Sequence, residues 1–203
     1  MFEDEYGGPW IPKAVPKNPG DLLTMADIAK AITLPGQEIE KVASKVRWYA
    51  RQGYLHPIAK ETAGRKSYLY LPDQCLTAEI LIRMGEFGIN VAKGETSHAA
   101  WRAITVWRSE DFPGSHPPAI SPGMHVIKEY EAGVRDWTFE LWSFAHRESG
   151  RLRFDARIAA NQRGEGSNFS VRREDGFEAR AVFAVDLIDV LDRIHPRNRP
   201  QVH

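Results

Sequence analysis

Seven cations and one acid occupy residues 41–70 of this 203-residue sequence: Lys41, Lys45, Arg47, Arg51, Lys60, Arg65 and Lys66 against Glu61. The window therefore carries six net positive charges, on a chain whose 27 Lys+Arg and 27 Asp+Glu cancel. Fixed cations at this density attract polyanions, and displacing counterions from phosphates is the chemistry they perform best. Residues 21–40 have the opposite sign, with Asp21, Asp27, Glu38 and Glu40 against Lys30. Such a local footprint says more about partners than the zero total does.

Other reactive residue types are scattered. His98, His116, His125, His146 and His195 fall in no metal-ligand spacing, and no carboxylate pair accompanies them at helical spacing. Gly164-Glu165-Gly166-Ser167 lacks the Lys-Ser/Thr of a phosphate-binding loop and reads as a strand connection. Ser143 and Ser170 have no nucleophile-elbow context, and Cys75 reads as packing at the start of an apolar helix. One cysteine excludes a disulfide framework or a multi-cysteine zinc site. No catalytic site, metal or cofactor is expected, so the chain reads as a non-enzyme. No apolar run approaches the ~18–20 residues of a membrane span, and the first twenty residues lack signal-peptide order. The expected location is the cytoplasm, with no membrane partner.

The cations need elements to position them. Residues 1–20, with four prolines and three glycines, read as an extended arm. A breaker-rich stretch at 111–123 reads as a linker between an N-terminal unit (21–110) and a C-terminal unit (124–203). Thr24 and Asp27 form a capping box for a first helix carrying Met25, Ile28, Ala29 and Ile32, and Pro35-Gly36 ends it. A second helix is predicted from Gln37 to Gln52, with Gly53 as its left-handed cap. Its apolar side is Ile39, Val42, Ala43, Val46 and Ala50, with Tyr49 on the shoulder. Lys41, Ser44, Lys45, Trp48, Arg51 and Gln52 then face outward, with Arg47 on the flank. A short hairpin with a basic tip fits Tyr54–Pro57 and Tyr68–Leu71. Pro72-Asp73 opens a third helix with Leu76, Ile80, Leu81, Met84 and Phe87, and a short helix covers His98–Trp107.

Helix, turn, basic helix, basic hairpin and helix is the order of a winged helix-turn-helix. A helix about 10–12 Å wide fits the major groove while a hairpin reaches the backbone. Residues Leu23–Ala31, Val46–Pro57, Gly64–Tyr68 and Met84–Ile89 resemble the MerR family of transcriptional regulators and the related excisionase-like winged helices. Val46-Arg47-Trp48-Tyr49 and Gly53-Tyr54-Leu55 stand where that family ends its recognition helix. The resemblance covers residues 23–89 and implies that Arg47 and Tyr49, with Arg65 and Lys66 from the wing, contact the DNA backbone. The candidate DNA-binding set is Lys41, Ser44, Lys45, Arg47, Trp48, Tyr49, Arg51, Arg65, Lys66 and Tyr68. Trp48 reads as a stacking or a packing residue, with packing preferred because an exposed Trp on a monomer is uncommon. The family's long dimerising helix is not expected, because prolines begin at Pro113.

After the linker the period changes to two. Trp137–Phe144 and Leu152–Ile158 alternate around Glu148-Ser149-Gly150 as an antiparallel hairpin, Phe177–Val185 is a further strand, and Asp186 caps a closing helix. The expected class is α+β: a winged helix followed by a small α+β domain for dimerisation or sensing. Trp137, Phe139 and Leu141 would face the core, and Trp142 and Phe144 the other side of the sheet. The functional expectation is a sequence-specific duplex-DNA-binding transcriptional regulator acting as a homodimer, with an effector left open. The alternative is a winged helix that binds protein as an adaptor or a phage or mobile-element assembly component.

Overall fold

Thr24 Oγ1 accepts from the Asp27 amide at 3.2 Å while Asp27 Oδ2 accepts from the Thr24 amide at 2.9 Å, so the capping box forms as written. It opens α1 (Met25–Ile32), which buries Ile28, Ala29 and Ile32. The computed structural model describes residues 22–60, 67–92, 94–107, 119–160 and 175–194. Gly36, at φ +86°, turns the chain into α2 (Ile39–Arg51), which packs on α1. This helix starts at Ile39 rather than Gln37, because Gln37 Oε1 is held in the turn by the Leu34 amide at 3.0 Å. Ile39 itself is 46 % exposed and lies outside the expected apolar stripe. The Gly53 cap is as expected, at φ +81°, with the Tyr54 amide returning to the Tyr49 carbonyl.

The hairpin is shorter than expected, and its first strand stands at Ala59–Lys60 in place of Tyr54–Pro57. β1 (Ala59–Lys60) pairs antiparallel with β2 (Tyr68–Leu69), and its tip lies outside the described residues. Leu23 and Tyr70 exchange backbone hydrogen bonds of 2.9 and 2.8 Å, which ties the start of α1 to the strand leaving the hairpin.

Next comes α3 (Asp73–Glu86), buried on nearly every side. Its polar residues Asp73, Gln74, Thr77 and Glu79 are each at most 4 % exposed. Two helices from beyond the breaker-rich stretch, α5 (Pro122–Glu131) and α6 (Ile188–Ile194), pack against it. The remaining helix, α4 (Glu95–Thr105), begins before the expected His98 and packs on α3, α5 and the C-terminal sheet. Phe87 is 75 % exposed instead of belonging to the α3 core stripe, because the helix caps at that residue.

Ser121-Pro122-Gly123 is a helix start, not a linker end. Ser121 Oγ accepts from the Met124 amide at 3.0 Å, and Pro122 occupies the first turn where its missing N–H costs nothing. The C-terminal sheet has the order β4-β3-β5, antiparallel throughout: β3 is Trp137–His146, β4 Leu152–Ala160 and β5 Phe177–Asp186. Asp186 Oδ1 accepts from the Ile188 amide at 2.8 Å, the expected cap of α6. Among the described residues the architecture is mixed α+β, with six helices and two small antiparallel sheets. Residues from before and after the stretch at 111–123 bury together in one core, from Ile28 and Val46 through Leu76 and Ile104 to Phe139 and Leu191.

The two expected faces of β3 are both filled from within the chain. Trp137, Phe139 and Leu141 enter the core. On the other face the Arg157 guanidinium binds Glu140 at 2.7 Å and lies 5.8 Å from the Trp142 ring, while that of Arg153 lies 5.1 Å from Phe144 and 5.6 Å from Phe177. These arginines cover the rings with their planar groups.

Asp73 joins the halves. Its Oδ2 accepts from Ser121 Oγ at 2.5 Å and its Oδ1 from Gln74 Nε2 at 3.1 Å, and Gln74 Oε1 in turn accepts from the His56 amide. Burial raises the Asp73 pKa, and the Ser121 and Gln74 hydrogen bonds oppose that rise. With the folded pKa above the unfolded one, the unfolded chain holds fewer protons across the interval between them. Stability therefore falls as pH rises from the ordinary carboxylate range through the pKa of Asp73. Urea midpoints taken against pH are expected to decline over that interval, and Asp73→Asn to remove this part of the decline.

Candidate nucleic-acid interface

One side of α2 is anchored and the other is free. Val42, Val46 and Tyr49 are at most 5 % exposed. Glu40, Ser44, Arg47 and Arg51 follow one another at steps of four, three and four, and all are exposed. Ser44 Oγ donates to the Glu40 carbonyl at 2.8 Å and accepts from Arg47 at 3.0 Å, so the two side chains are held along the helix before any ligand arrives.

The sequence window overstates the charge. Lys41 Nζ lies 3.0 Å from Glu38, Arg47 is 3.9 Å from Glu40, and Lys45 is 3.9 Å from Glu86 at the end of α3. Four cations on α2 thus share their surface with three carboxylates, and one net positive charge remains on that face. Glu38 and Glu40 sit just before the basic window, and the three-residue step from Glu38 to Lys41 was the available signal. Nothing in the sequence places Glu86 beside Lys45. Arg51 is the exception: among the described residues no carboxylate lies within ion-pair distance of it. Exposed pairs of this kind are worth about 0–1 kcal/mol, so they yield readily to a phosphate.

Tyr49 is buried, where the resemblance implies a backbone contact. It is 4 % exposed, and burial with the nearby Glu86 charge pushes its pKa up to about 12. Its helical position rotates it into the core beside Val46, where its ring supports α2. Trp48 is half-buried, with its ring 5.3 Å from that of Tyr49 and edge-on to it. It lines a groove of about 460 Å³ between α2 and the end of α3, whose walls include Lys45, Tyr49, Ile82, Gly85, Glu86 and Val91. The groove has a largely apolar floor and the Lys45–Glu86 pair beside it.

On the hairpin, Tyr68 is 50 % exposed and Lys60 Nζ lies 5.1 Å from its ring centroid, a cross-strand cation–π contact. Arg65 and Lys66 lie outside the described residues. The structure therefore brings Ser44, Arg47 and Arg51 onto one face, sets Lys41, Lys45 and Trp48 on its flank, and removes Tyr49. Among the described residues no group of three or more His, Cys, Asp or Glu is placed to hold a metal ion. No helix among them is long and apolar enough to cross a membrane.

No family model matches the chain, and no curated protein or solved structure is significantly similar to it. The reading of the site rests on its own geometry.

Proposed function

We propose that residues 23–89 form a winged helix-turn-helix of MerR-like type that binds duplex DNA and serves a sequence-specific transcriptional regulator. The observation that carries this reading is α2: thirteen residues, anchored by Val42, Val46 and Tyr49, presenting Ser44, Arg47 and Arg51 on its opposite side. The hairpin after α2 and the Leu23–Tyr70 bridge support the same reading. In it, Arg47, Arg51 and the hairpin cations contact phosphates, while Lys45 and Ser44 reach base edges. Ser44 must give up its hydrogen bond to the Glu40 carbonyl to do so.

Fluorescence anisotropy on a labelled duplex tests this assignment. Arg51→Ala is expected to weaken binding on every sequence. Glu40→Gln, which frees Arg47 from its carboxylate, is expected to strengthen binding about 2–5-fold, the range set by the worth of an exposed pair. Tyr49→Phe is expected to leave affinity within about twofold, since its hydroxyl faces no partner surface. Weaker binding by Glu40→Gln contradicts the assignment of Arg47 to phosphate.

A second reading is favoured by the groove beside Trp48 and by the neutralised cations: a winged helix that binds a protein segment. It requires Trp48→Ala to abolish capture of that partner and duplex binding to be absent at low salt.

A further inference from the structure

Strand β5 forms one edge of the three-stranded sheet, and no strand among the described residues pairs with its outer side. An exposed row of backbone N–H and C=O groups is a template for another strand, which natural edges usually blunt with charge, proline or shortness. Here the edge is ten residues long and largely apolar, with Ala179, Ala181, Val182 and Ala184 exposed and Val182 at 50 %. Beside it stands Phe87, 75 % exposed, with its ring 5.2 Å from that of Phe183 and edge-on to it. An apolar edge and an apolar flank meet at one residue.

The sequence of that edge, Arg180-Ala181-Val182-Phe183-Ala184-Val185-Asp186, is complementary to its own reverse. We infer that β5 pairs antiparallel with β5 of a second copy of this chain about a two-fold axis at Phe183, giving a continuous six-stranded sheet. In that register Arg180 faces Asp186 of the second copy at both ends. Between them Ala181 faces Val185, Val182 faces Ala184, and Phe183 faces itself, with Phe87 of each copy alongside.

Neighbouring registers are worse. Centring on Val182 sets Glu178 opposite Asp186, like charge against like. Centring on Ala184 brings in Leu187, which is fully buried in the chain's own core. Centring on Ala179 spans the register shift beside Ser143, where Ala181 pairs with Ser143 and Ala179 with Phe144, leaving Arg180 as the extra residue. The Phe183 register uses the whole regular stretch Ala181–Asp186 and reaches only to Arg180 at the edge of the irregularity.

Light scattering on the full chain at tens of micromolar tests this without DNA. The expected mass is twice the 23.0 kDa of one chain. Val182→Lys, which places an ammonium in the apolar centre, is expected to give monomer. Arg180→Asp is expected to weaken the dimer about tenfold, from two lost pairs and new repulsion against Asp186. The swap Arg180→Asp with Asp186→Arg is expected to restore it to within about threefold. Because Asp186 also caps α6, a second measurement guards against misfolding. Phe183→Cys is expected to form an interchain disulfide under mild oxidation, since Cys75 is buried. A monomeric wild-type chain, a dimer indifferent to Val182→Lys, or no cross-link at 183 overturns the inference. Each of these outcomes leaves the DNA reading of α2 standing.

Discussion

Replacing Glu79 by alanine is expected to lower the stability of the fold by about 3 kcal/mol, roughly 6–12 °C in Tm for a chain of this size. Glu79 is 4 % exposed, and one of its oxygens accepts from Arg83 at 3.1 Å and from Arg193 at 3.0 Å. The Arg193 contact joins α6 to α3 across 114 residues of sequence. Without the carboxylate two guanidinium groups are left facing each other, and the Arg193 side chain is only 14 % exposed. Breaking a buried pair by removing one partner typically costs 3–5 kcal/mol. The lower end applies, because Arg83 is 27 % exposed and retains Glu86 at 3.3 Å. Urea unfolding at neutral pH measures it. The pair Glu79→Met with Arg193→Met is expected to recover most of the loss, since neither charge then remains buried alone. A cost below about 1 kcal/mol for Glu79→Ala means that α6 is held by apolar contacts alone.

Two glycine-to-alanine changes are expected to move stability in opposite directions. At Gly123 a Cβ meets Ile104 Cγ2 at 2.7 Å, Asp73 Cβ at 2.8 Å and the Ile104 carbonyl at 3.2 Å. Two of these atoms belong to backbone or to a Cβ, so no side-chain rotation relieves the clash and α5 must move off α3 and α4. Overpacking of this kind costs about 2–3 kcal/mol, more than the helix propensity alanine brings. At Gly85, inside α3, the nearest atom is Val91 Cγ2 at 3.9 Å. There alanine is expected to stabilise by up to about 1 kcal/mol. Chemical denaturation of the two variants side by side reads both signs. A neutral Gly123→Ala contradicts the close crossing of α3, α4 and α5.

Both residues show where a single sequence stops being informative. The period and caps of α1, α2, the C-terminal hairpin and α6 are local, and they stand within a residue or two of their expected positions. Pro122-Gly123 reads as a pair of breakers, yet Ser121 before it is an N-cap and the glycine is needed for packing. Only the arrival of α3 and α4 distinguishes those meanings. Likewise Asp73 and Thr77 share helical spacing with Ile80 and Met84, while Glu79 stands off that stripe and nothing local says that Arg193 of α6 arrives to bury it. At the candidate site the outward cations of α2 were legible from helical spacing. Tyr49 follows Val42 and Val46 at steps of seven and three, so its burial was legible too, whereas the approach of Glu86 to Lys45 was not, since it depends on the angle at which α3 crosses α2.

Those approaching carboxylates sharpen the test of DNA binding. The full chain titrated onto a mixed-sequence duplex between about 50 and 200 mM salt yields a log–log slope of about −0.9 per phosphate neutralised. The seven cations of the sequence from Lys41 to Lys66, three of them on α2 facing acids, set the expected slope at about −4, with Glu40→Gln making it steeper. A slope shallower than about −1, or no binding at low salt, contradicts the assignment of α2 and its hairpin to DNA.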